Sequence, residues 1–335
     1  MIPLEEAQNY VIETVQRLDV ECVSLLKARN RVTAESITSS ESIPPFDNTA
    51  VDGYAVIAAD TQGASTSSPV SLTVLESIAA GTAPEQRVNA SKCSKIMTGA
   101  PIPEGADAVV MVEWSEPGAS ENQVNITKGV SAGDHIRKSG EDLLPGDLVI
   151  PEQTFLNPAH LGLLASVGIY EIETFRKPKV AVFSTGDELI EGSQSLEPGQ
   201  IRDSNRFSLI ALLERDGFQA VDFGLIADDE SAIEETIQKA TETCDAIITT
   251  GGVSMGDYDF VKIVLSRIGD MRWMQIAIKP AKPFAFGIVN GIPVFGLPGN
   301  PVSSMVSYEL LTKPALKKMM GHVEVFPTFL KGETV

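Results

Sequence analysis

The stretch from residue 245 to residue 268 constrains the fold more than any other part of the chain. An apolar run at 245–250 is followed at once by Gly251-Gly252, which predicts a buried strand that stops at a tight glycine turn. Helical spacing of apolar residues then resumes at 258–268. Strand, glycine turn and helix in this order aim free backbone N–H groups at a phosphate. The stretch therefore predicts an anion-binding loop.

The same stretch carries two carboxylates, Asp257 and Asp259. These side chains would repel a bound phosphate unless a cation lay between them. Mg²⁺ takes oxygen ligands of this kind and bridges phosphate oxygens, so we predict a magnesium site. The alternative is a simple tight turn in which Asp257 caps the following helix.

A competing hypothesis comes from the sequence Gly252-Val-Ser254-Met-Gly256, which matches the nucleophile elbow of α/β-hydrolases. That mechanism requires an acid and then a histidine later in the chain. His322 is the one histidine that follows, and no oxyanion segment of the HGGG type precedes the elbow. A serine hydrolase is therefore the minor alternative.

From Lys179 onward, strand and helix patterns alternate, which predicts a doubly wound, mostly parallel α/β sheet with its ligand at the carboxyl ends of the strands. Strands are predicted at 180–184, 221–226, 245–250, 272–278, 284–289 and 292–295, with a hairpin turn at Asn290-Gly291, and helices at 204–216, 231–243, 258–268 and 302–319.

Polar loops follow these predicted strands, and the doubly wound arrangement brings them to one edge. They supply carboxylates for a metal, lysines for anions and glycine turns for phosphate. The loops contain Thr185-Gly186-Asp187-Glu188, Asp228-Asp229, Gly251-Gly252 with Asp257 and Asp259, Lys279 to Lys282, and Pro298 to Ser303. The chain has neither a Walker A sequence nor a G-x-G-x-x-G, so ordinary ATP or dinucleotide binding is not supported.

The first half of the chain has a different pattern. Residues 3–18 predict an amphipathic helix, and Ser42–Tyr54, with its two prolines, predicts an irregular, packed loop that faces a ligand or, alternatively, a plain linker. Short alternating runs at 70–75, 108–112, 124–126 and 148–150 predict an all-β module. The predicted divisions are an N-terminal extended region (1–50 with 135–175), an inserted all-β domain (51–134), an α/β domain (176–322) and the start of a C-terminal β domain (323–335).

Charge and cysteine content exclude several classes of protein. The formal net charge of −19 argues against nucleic acid and anionic membranes as partners. An anionic substrate must then be held by local lysines, arginines and N–H groups. Three widely spaced cysteines indicate reduced thiols in a cytoplasmic protein, not a disulfide framework or a zinc site. The N-terminus has no signal-peptide pattern, and no apolar run approaches the ~20 residues of a membrane helix.

Seven motifs, in the same order along nearly the whole chain, resemble those of the MoeA family, the molybdopterin molybdenumtransferases related to the gephyrin E domain. They are Pro44–Tyr54, Ile96–Pro101, Phe183–Leu189, Ile201–Arg206, Gly251–Asp259, Ile278–Pro283 and Gly296–Ser303. The resemblance implies a molybdopterin-binding fold and Mg²⁺-dependent insertion of molybdate into adenylylated molybdopterin with release of AMP. It also implies a homodimer whose cleft uses both protomers, with possible contacts to other cofactor-biosynthesis proteins.

The resemblance also implies roles for individual residues. The implied catalytic residues are Asp52, Thr98, Glu188, Asp228, Asp259, Lys279 and Lys282, and the metal ligands are Glu188, Asp228, Asp257 and Asp259. The implied substrate-binding residues are Thr185, Gly186, Asp203, Ser204, Gly251, Gly252, Ser254, Pro298, Gly299, Asn300, Pro301 and Ser303. Family members usually continue into a small C-terminal β domain, so this sequence, which stops at Val335, is expected to be a fragment or a member without it. A molybdopterin-binding scaffold without turnover is the second functional hypothesis.

Overall fold

The computed structural model of the chain describes residues 1–251 and 260–327. It divides into two compact units. The first unit contains Met1–Ser36, Ile150–Gly162 and the chain from Ile169 onward, and the second contains Ile37–Val149 and Leu163–Gly168.

The helices of the described chain are α1 Leu4–Thr14, α2 Pro158–Ser166, α3 Asn205–Arg215, α4 Glu230–Thr243, α5 Phe260–Ile268, α6 Pro301–Ser307 and α7 Lys313–Met319, with a π-helical segment, Tyr308–Thr312, between α6 and α7. Short 3₁₀ turns cover Leu25–Ala28, Ala58–Thr61 and Val112–Trp114.

The strands, in chain order, are β1 Val20–Ser24, β2 Ile37–Thr38, β3 Asn48–Thr49, β4 Gly53–Val56, β5 Val70–Ile78, β6 Lys92–Ile96, β7 Ala108–Met111, β8 Ser115–Pro117, β9 Gln123–Ile126, β10 Ile136–Arg137, β11 Leu148–Ile150, β12 Glu171–Phe175, β13 Lys179–Thr185, β14 Leu189–Ile190, β15 Ile201–Arg202, β16 Gln219–Ile226, β17 Ala246–Thr250, β18 Asp270–Gln275, β19 Pro283–Val289 and β20 Ile292–Leu297.

The first unit is built on a six-stranded sheet in the order β16-β13-β17-β20-β19-β18. The first four strands are parallel, whereas β19 is antiparallel to both of its neighbours. Asn290 and Gly291, both with positive φ, make the tight turn between β19 and β20, which confirms the predicted hairpin. Because β19 is antiparallel to β20 and β18 is antiparallel to β19, β18 runs in the same direction as the four parallel strands. Its last residue, Gln275, therefore lies at the same sheet edge as their carboxyl ends.

Helices cover both faces of this sheet, as the doubly wound prediction requires. Val180 and Val182 of β13 pack into a core with residues of α1, α3 and α7. Ala181 and Phe183 of the same strand pack into a second core with residues of α4 and α5. Successive side chains of a strand point to opposite faces, and here both faces are buried. This explains why the strands have continuous apolar runs.

The second unit contains a six-stranded sheet in the order β7-β4-β6-β5-β9-β8. Its neighbouring strands are antiparallel except for the pair of β5 and β6. Leu72 and Val124 belong to a buried cluster on this sheet, and Ile78 and Ile96 belong to another. An all-β module is therefore present, as predicted from the alternating runs, but the run at 148–150 lies outside its sheet and pairs, as β11, with β2.

Three predicted elements differ from the observed ones. The first helix ends at Thr14 instead of residue 18, because Val15 adopts an extended backbone and the Leu18 N–H bonds to the Met319 carbonyl. The predicted strand at 272–278 ends at Gln275, where the chain turns away to bridge Ile2 with Ile276. The predicted helix at 302–319 contains the π-helical segment. In the described ranges, no helix is both long enough and apolar enough to span a bilayer.

Candidate active site

The carboxyl edge of the α/β sheet carries the described parts of the five polar loops predicted from the sequence. The parallel strands end at Thr185, Ile226, Thr250 and Leu297, and β18 ends at the same edge. The edge is broad, because five strand spacings separate β16 from β18, roughly 24 Å in all. The loop with Asp228 and the loop with Lys282 therefore lie at opposite ends, and the loops after β13, β17 and β20 lie between them.

A cavity opens in the middle of this edge. It is lined by Thr185, Glu188, Leu189, Ile201, Arg202, Asp203, Ser204, Asn205, Thr250, Gly251, Gly299 and Pro301. Seven of the predicted site residues are in this lining. Gly186, Pro298 and Asn300 lie in the same loops and Ser303 lies in α6, all outside the lining. Gly252, Ser254, Asp257 and Asp259 lie outside the described residues.

Two glycine turns form one wall of the cavity. Gly251 has φ +91°, and a Cβ there would lie 2.6 Å from the carbonyl oxygen of Thr185. The Cβ position of Gly299 is 3.9 Å from the Gly251 Cα. A side chain at Gly251 would therefore collide with the backbone at the end of β13. The close packing of three strand ends explains why a glycine follows β17.

Asn205, the first residue of α3, joins these loops to the helix. Its Nδ2 donates to Thr250 Oγ1 at 2.8 Å and to the Gly299 carbonyl at 2.7 Å. Sequence reasoning singled out Asp203 and Ser204 but missed this residue. Asn205 could have been predicted as a site residue, because it follows a loop at a predicted strand end and opens the next helix. The first turn of such a helix faces the carboxyl edge of the sheet.

The side chain of Asp203 points into the protein interior. Its side chain is 1% exposed, and it accepts bonds from Ser184 Oγ at 3.0 Å and from Arg206 Nε at 2.9 Å. The Arg206 guanidinium, equally buried, also pairs with Glu191 at 2.7 Å and with Asp222. Burial by itself would lower the pKa of Arg206, but its bonds to Asp203, Asp222 and Glu191 outweigh burial and raise that pKa. Asp203 is thus placed to hold Arg206 and the start of α3.

Glu188 lies at the mouth of the cavity with its carboxylate folded over Gly186. A Cβ on Gly186, whose φ is +147°, would lie 2.6 Å from Glu188 Oε2. The Glu188 side chain is exposed and has no hydrogen-bond or ion-pair partner among the described residues. Below it, the hydroxyl of Thr185 is buried and has no hydrogen-bond partner within residues 1–251 and 260–327. Both groups are available to a ligand.

The predicted metal ligands follow three neighbouring strands. Glu188 comes after β13 and Asp228 after the adjacent β16, while the loop that carries Asp257 and Asp259 follows β17 on the other side of β13. Within the described ranges no cluster of three His, Cys, Asp or Glu side chains is close enough to hold an ion. The donor set consists of carboxylates only, which suits Mg²⁺. Asp229 has a separate role, because its Oδ1 accepts from the Ala232 N–H and caps α4.

The remaining predicted residues of this unit occupy the loops after β18 and β20. Lys279 and Lys282 are exposed, and their loop is fastened by a bond from the Ile276 N–H to the Lys282 carbonyl, 2.8 Å. Asn300 caps α6 by accepting from Ser303 at 3.3 Å. The capping bond gives Asn300 and Ser303 a structural role in addition to the predicted ligand contact.

Asp52 and Thr98 meet in the second unit. Asp52 Oδ1 accepts from the Thr98 N–H at 2.7 Å and from Thr98 Oγ1 at 2.8 Å. These two bonds, the backbone one first, lower the pKa of Asp52. Both residues are exposed, so the pair presents a carboxylate to the surface of its unit.

The position of His322 argues against the hydrolase hypothesis. The helical segment that begins at Pro301 starts at the carboxyl edge and runs toward the opposite one, and His322 follows its last residue, Met319. Thr250, the strand end that precedes Ser254, lies at the carboxyl edge. His322 therefore lies at the edge opposite the end of β17, whereas the hydrolase mechanism requires a histidine within hydrogen-bond reach of its serine.

Comparisons with known proteins agree with the resemblance seen in the motifs. A family model described as the MoeA N-terminal region (domain I and II) matches residues 2–168, and one described as a probable molybdopterin binding domain matches residues 181–318. The chain is 40% identical over 322 residues to the molybdopterin molybdenumtransferase of Haemophilus influenzae, covering 96% of this chain and 78% of that protein.

Further relatives are similar over almost the full chain. Identity to the molybdopterin molybdenumtransferase of Staphylococcus aureus (strain MSSA476) is 35%, over 99% of this chain and 79% of that protein. The crystal structure of the molybdopterin biosynthesis MoeA protein of Pyrococcus horikoshii OT3 superposes with a TM-score of 0.80 at 34% identity, covering 97% and 81%. The names of the relatives confirm the predicted enzyme class, a transferase, and the neighbours confirm the multi-domain α/β fold. The chain belongs to the MoeA family.

Proposed function

We propose that this chain is a molybdopterin molybdenumtransferase that inserts molybdate into adenylylated molybdopterin and releases AMP. The observation that carries the proposal is the central cavity, where two glycine turns and the start of α3 surround the unpartnered hydroxyl of Thr185. Free N–H groups at strand ends and at a helix start suit a phosphate group. Membership of the MoeA family supplies the reaction.

The substrate pyrophosphate occupies the cavity and the loops beside it. Gly251, Gly252 and Gly299 allow the backbone to approach phosphate oxygens closely, and Ser254 and Pro298 to Ser303 contribute further contacts. Lys279 and Lys282 supply positive charge that a chain of net charge −19 needs for two anionic substrates. A molybdate anion held by these lysines lies on the side of the pyrophosphate away from Asp228.

Mg²⁺ is the metal that the carboxylate set fits, with Glu188, Asp228, Asp257 and Asp259 as its proposed holders. When bound, it supplies charge neutralisation on the phosphate oxygens. Thr185, Gly186 and Ser204 orient the substrate at the mouth of the cavity. Asp203 acts through Arg206, as described above, by holding the first turn of α3.

Asp52 and Thr98 belong to the same proposed reaction centre through dimerisation. We propose a homodimer in which the Asp52–Thr98 pair of one protomer completes the cleft of its partner. A cytoplasmic location and contacts with other proteins of cofactor biosynthesis are part of the proposal, since the intermediate passes from one enzyme to the next.

The test is AMP release from adenylylated molybdopterin by this chain, measured with and without molybdate and Mg²⁺. Release that requires both ions supports the transferase. Tight binding of the substrate without release indicates the alternative, a molybdopterin-binding scaffold. A Lys279→Gln, Lys282→Gln variant should lose release, and a Lys239→Gln variant, altered at an exposed position of α4, is the matched control. Replacing molybdate with tungstate measures which oxyanion is preferred.

A further inference from the structure

A second cavity lies at the opposite edge of the α/β sheet. α3 begins at the candidate active site with Asn205 and spans 11 residues, about 16 Å at 1.5 Å per residue. The segment from Pro301 to Met319 runs the same way. Residues near the far ends of both helices surround a cavity of about 640 Å³, lined by Asn30, Gln153, Phe155, Arg215, Asp216, Lys313, Lys317, His322, Val323 and Glu324.

One wall of this cavity is a closed network of charges. Arg215 Nη2 lies 2.8 Å from Asp216 Oδ2 and 2.5 Å from Glu309 Oε1. Lys313 Nζ lies 3.1 Å from a carboxylate oxygen of each of the same two acids. Asp216 also accepts from the Tyr308 hydroxyl at 3.0 Å. Two cations and two acids therefore pair with one another, and the acids act on the neighbouring Lys317 only through charge attraction without a hydrogen bond.

The π-helical segment Tyr308–Thr312 supports this wall from behind, since none of its residues lines the cavity itself. Tyr308 and Glu309 are its first two residues, and both contact the charge network. Segments of π-helix are rare and often occur at functional sites. The π-helical segment thus supports the cavity through Tyr308 and Glu309, whereas α7 lines it with Lys313 and Lys317.

Lys317 lies one helical turn beyond Lys313, and its ammonium has no ion-pair or hydrogen-bond partner in the described part of the chain. It is half-buried, and burial together with the charge of Lys313 lowers its pKa. Next to it is His322, whose ring lies against that of Phe155 in a tilted arrangement, with a centroid distance of 5.1 Å and an interplanar angle of 32°. The imidazole also lacks a hydrogen-bond partner among the described residues.

Lys317 and His322 each offer a hydrogen-bond donor that has no acceptor partner among the described residues. A positively charged ammonium and an imidazole N–H face a cavity in which the acids of the network are already paired. The complementary ligand is an anion with oxygen acceptors, because charge-assisted hydrogen bonds to such an anion are stronger than bonds to water. Phe155, which is 44% exposed and lines the cavity, offers apolar surface to a planar group attached to the anion. Glu324, on the rim, carries the one further carboxylate of the described lining and opposes the anion.

We propose that this cavity binds a small oxyanion, a phosphate or carboxylate group, between the Lys317 ammonium and the His322 imidazole. The site is separate from the candidate active site, since α3 and the Pro301–Met319 segment each join the two by running from one sheet edge to the other. Phosphate and carboxylate are the two forms of the ligand that the experiment distinguishes.

The chain contains three histidines, His135, His160 and His322, which makes nuclear magnetic resonance of ¹³C-labelled histidine rings a direct test. Inorganic phosphate and benzoate are added separately to the intact chain in chloride buffer. We expect at least one anion to shift the His322 signal saturably, with a dissociation constant on the order of 1 mM, and to leave His135 and His160 unchanged. A His322→Gln variant assigns the signal.

Charge variants connect the shift to the proposed contacts. Lys317→Gln should weaken binding at least about tenfold, the equivalent of one charge-assisted bond, and Glu324→Gln should strengthen it severalfold. Lys239→Gln is the control and should change nothing. Unchanged His135 and His160 signals show that the variants remain folded. The proposal is overturned if neither anion shifts His322 up to about 50 mM, if all three histidines shift together, or if Lys317→Gln binds as the parent does.

Discussion

The side chain of Asn205 donates a hydrogen bond to the hydroxyl of Thr250 over 2.8 Å and so ties the start of α3 to the end of β17. The same amide group reaches the Gly299 carbonyl. Three loops of the candidate site therefore depend on one side chain for their relative positions.

Replacing Asn205 with Ala should reduce AMP release more than it reduces stability. The variant loses two hydrogen bonds, so its free energy of unfolding, measured with urea, should fall by about 1–3 kcal/mol. Activity should fall further, because a loop displaced by about 1 Å can lower kcat/KM by about a hundredfold. Asn125→Ala is the matched control, because its Nδ2 also donates to a carbonyl, that of Pro117, in the second unit. Equal losses of activity in both variants would contradict a positioning role for Asn205.

Gly251→Ala should abolish activity because there is no room for the new Cβ. The positive φ of this residue, which alanine disfavours, is the lesser cause. The new Cβ would lie 2.6 Å from the Thr185 carbonyl oxygen, so the end of β13 or the glycine turn must move. Gly199→Ala separates the two causes, since Gly199 has a similar φ, +92°, with nothing within 4 Å of its Cβ position. Substrate binding measured by fluorescence quenching should be lost in the first variant and retained in the second.

Arg206→Met should destabilise the α/β unit strongly. The change leaves the Asp203 carboxylate buried without its cation, a cost of about 3–5 kcal/mol in other buried pairs. The double variant Asp203→Asn, Arg206→Met removes the uncompensated charge and should recover part of that loss. Urea unfolding of the two single variants and the double variant measures the coupling. Additive losses would show that the two residues do not act as a pair.

The stability of the chain should fall as pH is lowered from about 6.5 to 4, and His322 should account for part of that fall. Burial first, and then the charge of Lys317, lower the pKa of His322 to about 4 in the folded chain. The unfolded chain therefore binds a proton that the folded chain does not, so stability is present above the unfolded pKa and is lost as pH falls toward the folded one. The contribution is about 1–3 kcal/mol for a shift of this size.

His322→Gln tests this pH dependence. The variant should lose less stability than the parent between pH 6.5 and 4, measured by urea unfolding at each pH. Lys317 and Glu324 also face the cavity. His160→Gln should behave as the parent does, and a parent and His322→Gln with parallel pH profiles would contradict the assignment.

The proposed sharing of Asp52 between protomers predicts complementation between two inactive variants. Asp52→Ala and Glu188→Ala, each inactive by itself, should together recover about a quarter of the parent activity after unfolding and refolding as an equimolar mixture, because half of the dimers are mixed and each mixed dimer has one intact cleft. A mixture as inactive as its components would place Asp52 and Glu188 in the same cleft of a single protomer.

The sequence by itself determined the α/β class of the last domain, its strand order along the chain and the edge at which its polar loops lie. Buried strands with continuous apolar runs, glycine turns and helical spacing are local patterns, and the direction of parallel strands places their loops at one edge. The hairpin at Asn290-Gly291 was predicted for the same reason, since the turn requires positive φ at both residues. The roles of Asp52 and Thr98 came from the family motifs.

Tertiary structure alone decided which polar residues are free and which are engaged. Asp203 and Asn205 are two residues apart in one motif, yet the first is buried in an ion pair with Arg206 and the second holds two loops. Whether a carboxylate faces a ligand or a buried guanidinium depends on partners distant in sequence, such as Asp222 and Gly299. The cavity at Lys317 follows from the same cause, because its charges are balanced through contacts between α3 and the π-helical segment, which no local pattern records.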